Sequence, residues 1–232
     1  MDRLDVIQQI IDRVKAECYL EIGVKKGKAF LKIKARKKIG VDPNFKIKAK
    51  RKLKAILKNF SNISNEYYEM TSDVFFEKFA DRHENLHGVD VAFIDGLHTY
   101  EQSLKDVQNC LKFLKEDGII VMHDCNPLSK AQAYPANSPE HAASSCPSKW
   151  EGDWSGDVWK TIAFLRSTRK DLNIFVLDCD HGLGIITKGK SESTLEFSKA
   201  DIGQLSYDDL ERSRVKILNL KPVDYLQEFL NQ

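Results

Sequence analysis

Val89-Asp-Val-Ala-Phe-Ile-Asp95-Gly-Leu-His98-Thr-Tyr100, answered further on by Gly118-Ile-Ile-Val-Met-His123-Asp124, is the stretch that decides the fold. Each apolar run has the length of a buried strand, and each ends in an acid. Between them Leu104, Val107, Leu111 and Leu114 step by three and four, the spacing of one helical face. Thr99 with Gln102 reads as a capping box at the start of that helix, and Gly118 as its stop. A strand, a crossing helix and a second strand of these lengths form a parallel pair.

The same alternation runs outward in both directions. Upstream lie an amphipathic helix over 4–16 and three strands, Cys18-Tyr-Leu-Glu-Ile-Gly23, Lys38-Ile-Gly-Val-Asp42 and Glu66-Tyr-Tyr-Glu-Met70. Downstream, a helix over 158–170 precedes Asn173–Asp178 and Leu183–Thr187, joined by a tight Cys-Asp-His-Gly turn. This pair predicts a hairpin that sets an antiparallel strand on the far edge of the sheet. The tail from Ser206 reads as two helices split at Pro222. The expected architecture is α/β, a parallel sheet with helices on both faces. One domain is expected over 1–190, carrying a long loop at 125–156, with a helical extension over 191–232 packed on it. The loop holds Pro127, Pro135, Pro139 and Pro147, together with Trp150 and Trp154. A loop of that length is ordinarily functional or disordered.

The 232 residues are 42% hydrophobic and 30% charged, the balance of a globular domain. No apolar run approaches the roughly 18 residues of a membrane span, and the acidic N-terminus is unlike a secretory signal. Five cysteines without a Cys-x-x-Cys pair argue against a disulfide framework or a zinc knuckle, so a reducing, cytoplasmic setting is expected. Residues 25–58 hold fifteen Lys or Arg and one acid, leaving a net −12 for the rest of the chain. Such a window can attract nucleic acid, anionic lipid or a phosphorylated substrate. Ala49, Leu53, Ile56, Leu57 and Phe60 fall at helical spacing, however, which predicts an inward apolar face and solvated lysines. No aromatic residues interleave with the cations as a single-strand groove requires, so nucleic acid is disfavoured.

Ligands of open parallel sheets bind at the carboxyl ends of the strands. Standing there are Glu21-Ile-Gly23 with Gly27, then Asp42, then Thr71-Ser72-Asp73, then Asp95 to His98, then His123-Asp124. Glycines after the first strand admit close approach of a ligand, or simply tight helix packing. An acid closing the second strand can accept both hydroxyls of a ribose. A dinucleotide fingerprint would need glycines at positions 25 and 28, which are both Lys. An acid before the first glycine suits the cationic amino-acid end of S-adenosylmethionine (SAM) and would repel a pyrophosphate.

With these motifs in this order, and with Asp106, Asn126-Pro127 and Gly156-Asp157 following, residues 18–190 resemble a class I SAM-dependent methyltransferase. The nearest resemblance is to the family whose strand ends Phe-Ile-Asp-Gly-x-His-x-Tyr, similar to metal-dependent small-molecule O-methyltransferases. That resemblance implies a Rossmann-like, doubly wound, mostly parallel sheet of seven strands with the last antiparallel. It implies that Glu21, Gly23 and Gly27 line the methionine of SAM, that Asp42 holds its ribose, that Ser72 and Asp73 flank the adenine, and that Asp95 closes the pocket. Lys25 departs from the commonest glycine pattern. Asp95 and Asp124 with Asn126 are candidate ligands for Mg²⁺, which favours hard oxygen donors. His98 then occupies the place of a general base and Asp95 joins it in the catalytic pair, while Trp150 and Trp154 suggest a cover for substrate. His181 reads as a turn residue and Cys125 as a small buried hydrophobe. The expected reaction is methyl transfer to a small-molecule acceptor, a hydroxyl of a sugar or phenolic natural product. A non-catalytic nucleic-acid-binding module on the same scaffold and an NAD-dependent oxidoreductase are the alternatives. No membrane partner is expected, and homo-oligomers are left open.

Overall fold

Asp2 starts the first helix, α1 (Arg3–Val14), by accepting the amides of Leu4 and Asp5 at 2.8 and 3.1 Å, while Asp5 returns a bond to the Asp2 amide at 3.0 Å. Val6, Ile7, Ile10 and Ile11 form its buried face, each contributing about 1.5–3 kcal/mol by leaving water. The computed structural model describes residues 1–80, 88–146, 148, 150 and 152–231; Pro147 of the proline-rich loop lies outside them. The chain divides into two compact units, one of residues 1–96 and 106–121, the other of residues 97–105 and 122–232.

The first unit contains α1, then β1 (Cys18–Ile22), β2 (Lys37–Val41), α2 (Ala49–Lys58), β3 (Asn65–Tyr68), α3 (Ser72–Ala80) and β4 (Val89–Ile94). The helix α4 (Tyr100–Phe113) enters it from the second unit, and β5 (Leu114–Met122) leaves from it. Its strands lie in the order β3-β2-β1-β4-β5, with β1 parallel to both β2 and β4, and β2 parallel to β3. Register aligns Ile22 with Val41 and with Ile94, so these three strands end level. Gly23, Asp42 and Asp95 therefore emerge side by side. Their amides continue the ladder onto Val41, Tyr68 and Ile22 carbonyls at 2.9, 3.2 and 2.9 Å.

Residues 25–32 form successive turns where a regular helix would follow β1. Lys38, buried within β2, holds them in place: its Nζ donates to Phe30 O and Ile33 O at 2.9 Å each, and to Asn62 Oδ1 at 2.5 Å. Burial lowers its pKa to about 8. Gly118 lies inside β5 instead of stopping the helix, because α4 ends at Phe113 and the strand begins at once with Leu114.

The second unit comprises α5 (Pro139–Ser145), α6 (Trp159–Thr168), β6 (Leu172–Leu177), β7 (Leu183–Lys188), α7 (Lys199–Gln204), α8 (Tyr207–Leu218), β8 (Leu220–Lys221) and α9 (Tyr225–Leu230). The hairpin expected from sequence is β6 and β7, antiparallel from Leu172↔Lys188 to Leu177↔Leu183. Its second strand is not at an edge: β7 has a hydrogen-bonded strand on either side, and the edge beside β6 is taken by β8. That two-residue parallel strand is an eighth beyond the seven expected. The fold class is otherwise α/β and mostly parallel, as the alternation of elements requires. The loop at 125–156 has its own order, with α5 and a buried cluster of Ala136, Ala142 and Trp154 against which Tyr134 and Trp150 pack. Among the described residues no helix is long and apolar enough to cross a membrane.

The basic helix also departs from expectation: no side chain of α2 is buried, and although Ile56 is half-buried, Leu53 and Leu57 are 61% and 70% exposed and face water.

Candidate functional site

In the first unit the groups expected to take a cofactor stand around the level ends of β1, β2 and β4. Gly23 sits at φ +90°, and a Cβ there would lie 2.0 Å from the carbonyl oxygen of Asp95. Glycine is thus imposed by the contact of two chain exits, a reason neither of the sequence readings gave. Gly27 faces Leu31 and Ile47 side chains, which favours the packing reading there. Asp42 is nearly buried and accepts the amides of Lys25 at 2.7 Å and Asn44 at 2.7 Å, one on each oxygen. This acid therefore ties the end of β2 to the turn after β1, and each of its oxygens retains a second lone pair for a ligand hydroxyl. Ser72 and Asp73 open α3 just beyond β3.

Glu21 is buried and accepts the Tyr19 hydroxyl at 2.6 Å. Burial pushes its pKa up to about 8; the Tyr19 hydrogen bond opposes this and the charge of Asp95 reinforces it. Asp95 itself takes Arg3 Nη1 at 3.0 Å. Nothing in the sequence spacing marks Arg3; only the capped first turn of α1 brings its guanidinium to the end of β4.

In the second unit His98 is gripped from several sides by residues 154–157. Its Nδ1 lies 2.8 Å from the carbonyl of Trp154, its ring stacks on the Trp154 indole at 5.3 Å, and Nε2 lies 3.4 Å from Asp124 Oδ2. A carbonyl only accepts, so Nδ1 carries a hydrogen, while Nε2 faces the carboxylate of Asp124. Gly156, at φ +61°, passes so close to the His98 carbonyl that a Cβ would lie 1.8 Å from it. Asp157 Oδ1 accepts the Tyr100 amide at 2.7 Å and caps α4, beside the weaker bond from the Gln102 amide to Thr99 Oγ1 at 3.4 Å.

Asp124 turns off β5 at φ +60° and is buried. Ser155 Oγ donates to its Oδ1 at 2.8 Å, and His123 Nδ1 to its Oδ2 at 2.8 Å. Beyond, His123 Nε2 lies 3.6 Å from Asp180 Oδ1, and its ring meets His181 edge-on. His181 belongs to the hairpin turn, at φ +62°. Cys125 is fully buried, and burial drives its thiol pKa upward, consistent with an inert packing residue. Ser155 was missed in the sequence because nothing about a serine in a proline-rich loop indicates a carboxylate partner.

Asn126 donates through Nδ2 to Asp178 Oδ1 at 3.0 Å, and its amide oxygen accepts Arg214 Nη1, which also reaches Pro127 O at 2.7 Å. Asn126 is thus held between Asp178 and the Arg214 guanidinium. Trp154 is nearly buried and donates its indole N–H to Tyr134 O at 2.8 Å, with Trp150 half-buried on the same cluster. The Trp154 indole stacks on the His98 ring.

Residues 20–125 match the family described as a methyltransferase domain. Among curated proteins none matches. Among solved structures, the chain resembles the O-methyltransferase from Bacillus cereus in complex with SAH, at 13% identity and a TM-score of 0.54, covering 80% of each chain. It also resembles the O-methyltransferase TomG from Streptomyces achromogenes in complex with SAM (11% identity, TM-score 0.55, 79% of this chain and 78% of that one). The SAH-bound methyltransferase PaMTH1 from Podospora anserina gives 18% identity and a TM-score of 0.52 over 80% of this chain and 76% of that one. These similarities establish the shared fold, and residues 20–125 are similar in sequence to the methyltransferase-domain family.

Proposed function

We propose that the protein is a SAM-dependent methyltransferase that methylates a hydroxyl of a small molecule, a sugar or a phenol. The observation that carries this reading is the placement of His98: its Nδ1–H is held by Trp154 O at 2.8 Å, and its Nε2 stands 3.4 Å from a buried carboxylate. An imidazole oriented through one nitrogen, with a carboxylate beside the other, is suited to take the proton of an acceptor hydroxyl and to hold the resulting charge.

In this reading Glu21 meets the ammonium of SAM, Gly23 and Gly27 shape the turn beside its methionine, and Asp42 accepts the ribose hydroxyls. Ser72 and Asp73 stand by the adenine, and Asp95 bounds the pocket. When bound, SAM would supply an activated methyl group whose transfer to the acceptor oxygen would leave S-adenosylhomocysteine. The hydroxyl proton passes to His98 Nε2, and the resulting imidazolium is stabilised by Asp124. Ser155 and His123 hold that carboxylate in one orientation. The sulfonium is already activated, so alignment and proton removal are what the chain must supply.

Mg²⁺ at Asp95 and Asp124 is the second reading, favoured by the ligand types at 95, 98 and 124. Against it, Asp95 already holds the Arg3 guanidinium, and both oxygens of Asp124 accept hydrogen bonds. Asp95 is thus already charge-paired, and proton transfer to His98 does not call on an ion. Transfer of labelled methyl from SAM to a panel of sugars and phenols tests the proposal. Binding of NAD in place of SAM would overturn it in favour of an oxidoreductase. Binding of neither, with steeply salt-dependent affinity for nucleic acid, would favour the non-catalytic module.

A further inference from the structure

The face of α2 left to solvent is unlike the rest of the surface. The helix rests on its unit along one edge. Lys52 Nζ lies 3.8 Å from the Tyr67 ring centroid, Asn62 Nδ2 donates to Ala55 O at 3.1 Å, and Asn59 Nδ2 to Ile33 O at 3.0 Å. These anchors fix its roll and leave Leu53 and Leu57, one turn apart, pointing outward. The following 3-10 turn (Phe60–Ser64) extends the row with Phe60 and Ile63, 73% and 68% exposed. Scattered exposed apolar residues need no explanation, but a continuous row does. Beside it on the helix run Lys50, Lys54 and Lys58, one turn apart, with Arg51. From Lys46 to Asn65 there are seven Lys or Arg and no acid.

An occupant must accept apolar side chains and many positive charges together. A second copy meeting the same face across a two-fold axis would set cations against cations. Nucleic acid would neutralise the lysines yet leave the leucines and phenylalanine wet. An anionic bilayer surface satisfies both demands, taking the row into the acyl boundary and the lysines among the headgroups. We propose that residues 46–64 dock the protein peripherally on anionic lipid. The expectation of no membrane partner was drawn from the lack of a spanning segment, and it does not bear on a helix lying in the interface.

Flotation of the full-length protein with vesicles of phosphatidylcholine, alone or mixed with phosphatidylglycerol, tests this. The mixed vesicles should capture the protein and the neutral ones should not. Leu57→Glu with Phe60→Glu, at exposed positions where thermal melting should be unchanged, should abolish capture. Lys50→Gln with Lys54→Gln should weaken it roughly 25-fold, about fivefold for each charge. Equal capture by both vesicles, capture by neither, or capture unaffected by the Glu pair would overturn the proposal. So would sedimentation showing a dimer that the Glu pair dissolves, which assigns the face to a second copy. Duplex DNA binding without vesicle capture would assign it to nucleic acid.

Discussion

Glu21→Gln, read through the pH dependence of SAM affinity, gives the sharpest test of the cofactor half of the site. The buried carboxyl of Glu21 has its pKa pushed up to about 8, so at neutral pH it holds a proton in the free protein. An ammonium seated beside it would favour the ionised form, and binding should expel that proton. At pH 7 a group with this pKa is roughly nine-tenths protonated, so nearly one proton should be released per SAM bound. From pH 7.5 down to pH 6 the ionised fraction falls about 25-fold, and the Kd should rise by the same factor. An α-amino group stays mostly protonated over that interval and does not mask the effect. Calorimetry in buffers of different ionisation enthalpy counts the protons, and titrations across the interval give the slope. The Glu21→Gln variant should bind more weakly at pH 7.5 with a flat profile. A flat profile in the parent protein, or an equal slope in the variant, would refute the pairing of Glu21 with a cation. The same group acts on folding with a definite sign. Its folded pKa is raised, so its stabilising contribution is complete below about pH 4.5 and is lost as pH rises through about 8. Without ligand, Glu21→Gln should therefore melt near the parent temperature at pH 4 and increasingly above it as pH rises towards 8.

The other expectations concern the second unit and the chain exits. His98→Ala should reduce kcat by about 10²–10⁴-fold while leaving SAM affinity within twofold, roughly the share a general base supplies; parallel loss of both in calorimetry and turnover would make His98 structural. Ser155→Ala removes one hydrogen bond from a buried carboxylate and should cost about 1–3 kcal/mol in denaturant melts; an unchanged midpoint would show that Asp124 does not depend on it. Gly23→Ala sets a methyl against the Asp95 carbonyl at a left-handed φ and should cost more than about 2 kcal/mol, a loss that urea titration would reveal. Methyl transfer should survive EDTA; abolition by chelator and recovery with Mg²⁺ would restore the metal reading.

The order of strands and helices was legible because each element announces itself within a few residues. Runs such as Phe93-Ile94 and Ile120-Val121 are buried on both sides of the sheet, and the acids that follow them stand at its carboxyl edge for that reason alone. Gly23, Asp42 and Asp95 were thus placed by counting from strand ends, and register only made them level. The basic helix was legible in existence but not in orientation. Its spacing carries an apolar row, yet which way the row faces depends on Tyr67, Asn59 and Asn62 gripping the opposite edge.

What periodicity cannot carry is the pairing of groups far apart along the chain. Arg3 reaches Asp95 across 92 positions, His98 meets Trp154 across 56, and Arg214 closes on Asn126 across 88. Hydrogen bonding is short-ranged and directional, so such partners are chosen only once the backbone has brought two loops within about 3 Å. The chain alone thus determined which residues stand at the strand ends, and the tertiary structure decided which of them are already committed to protein partners and which retain capacity for a ligand.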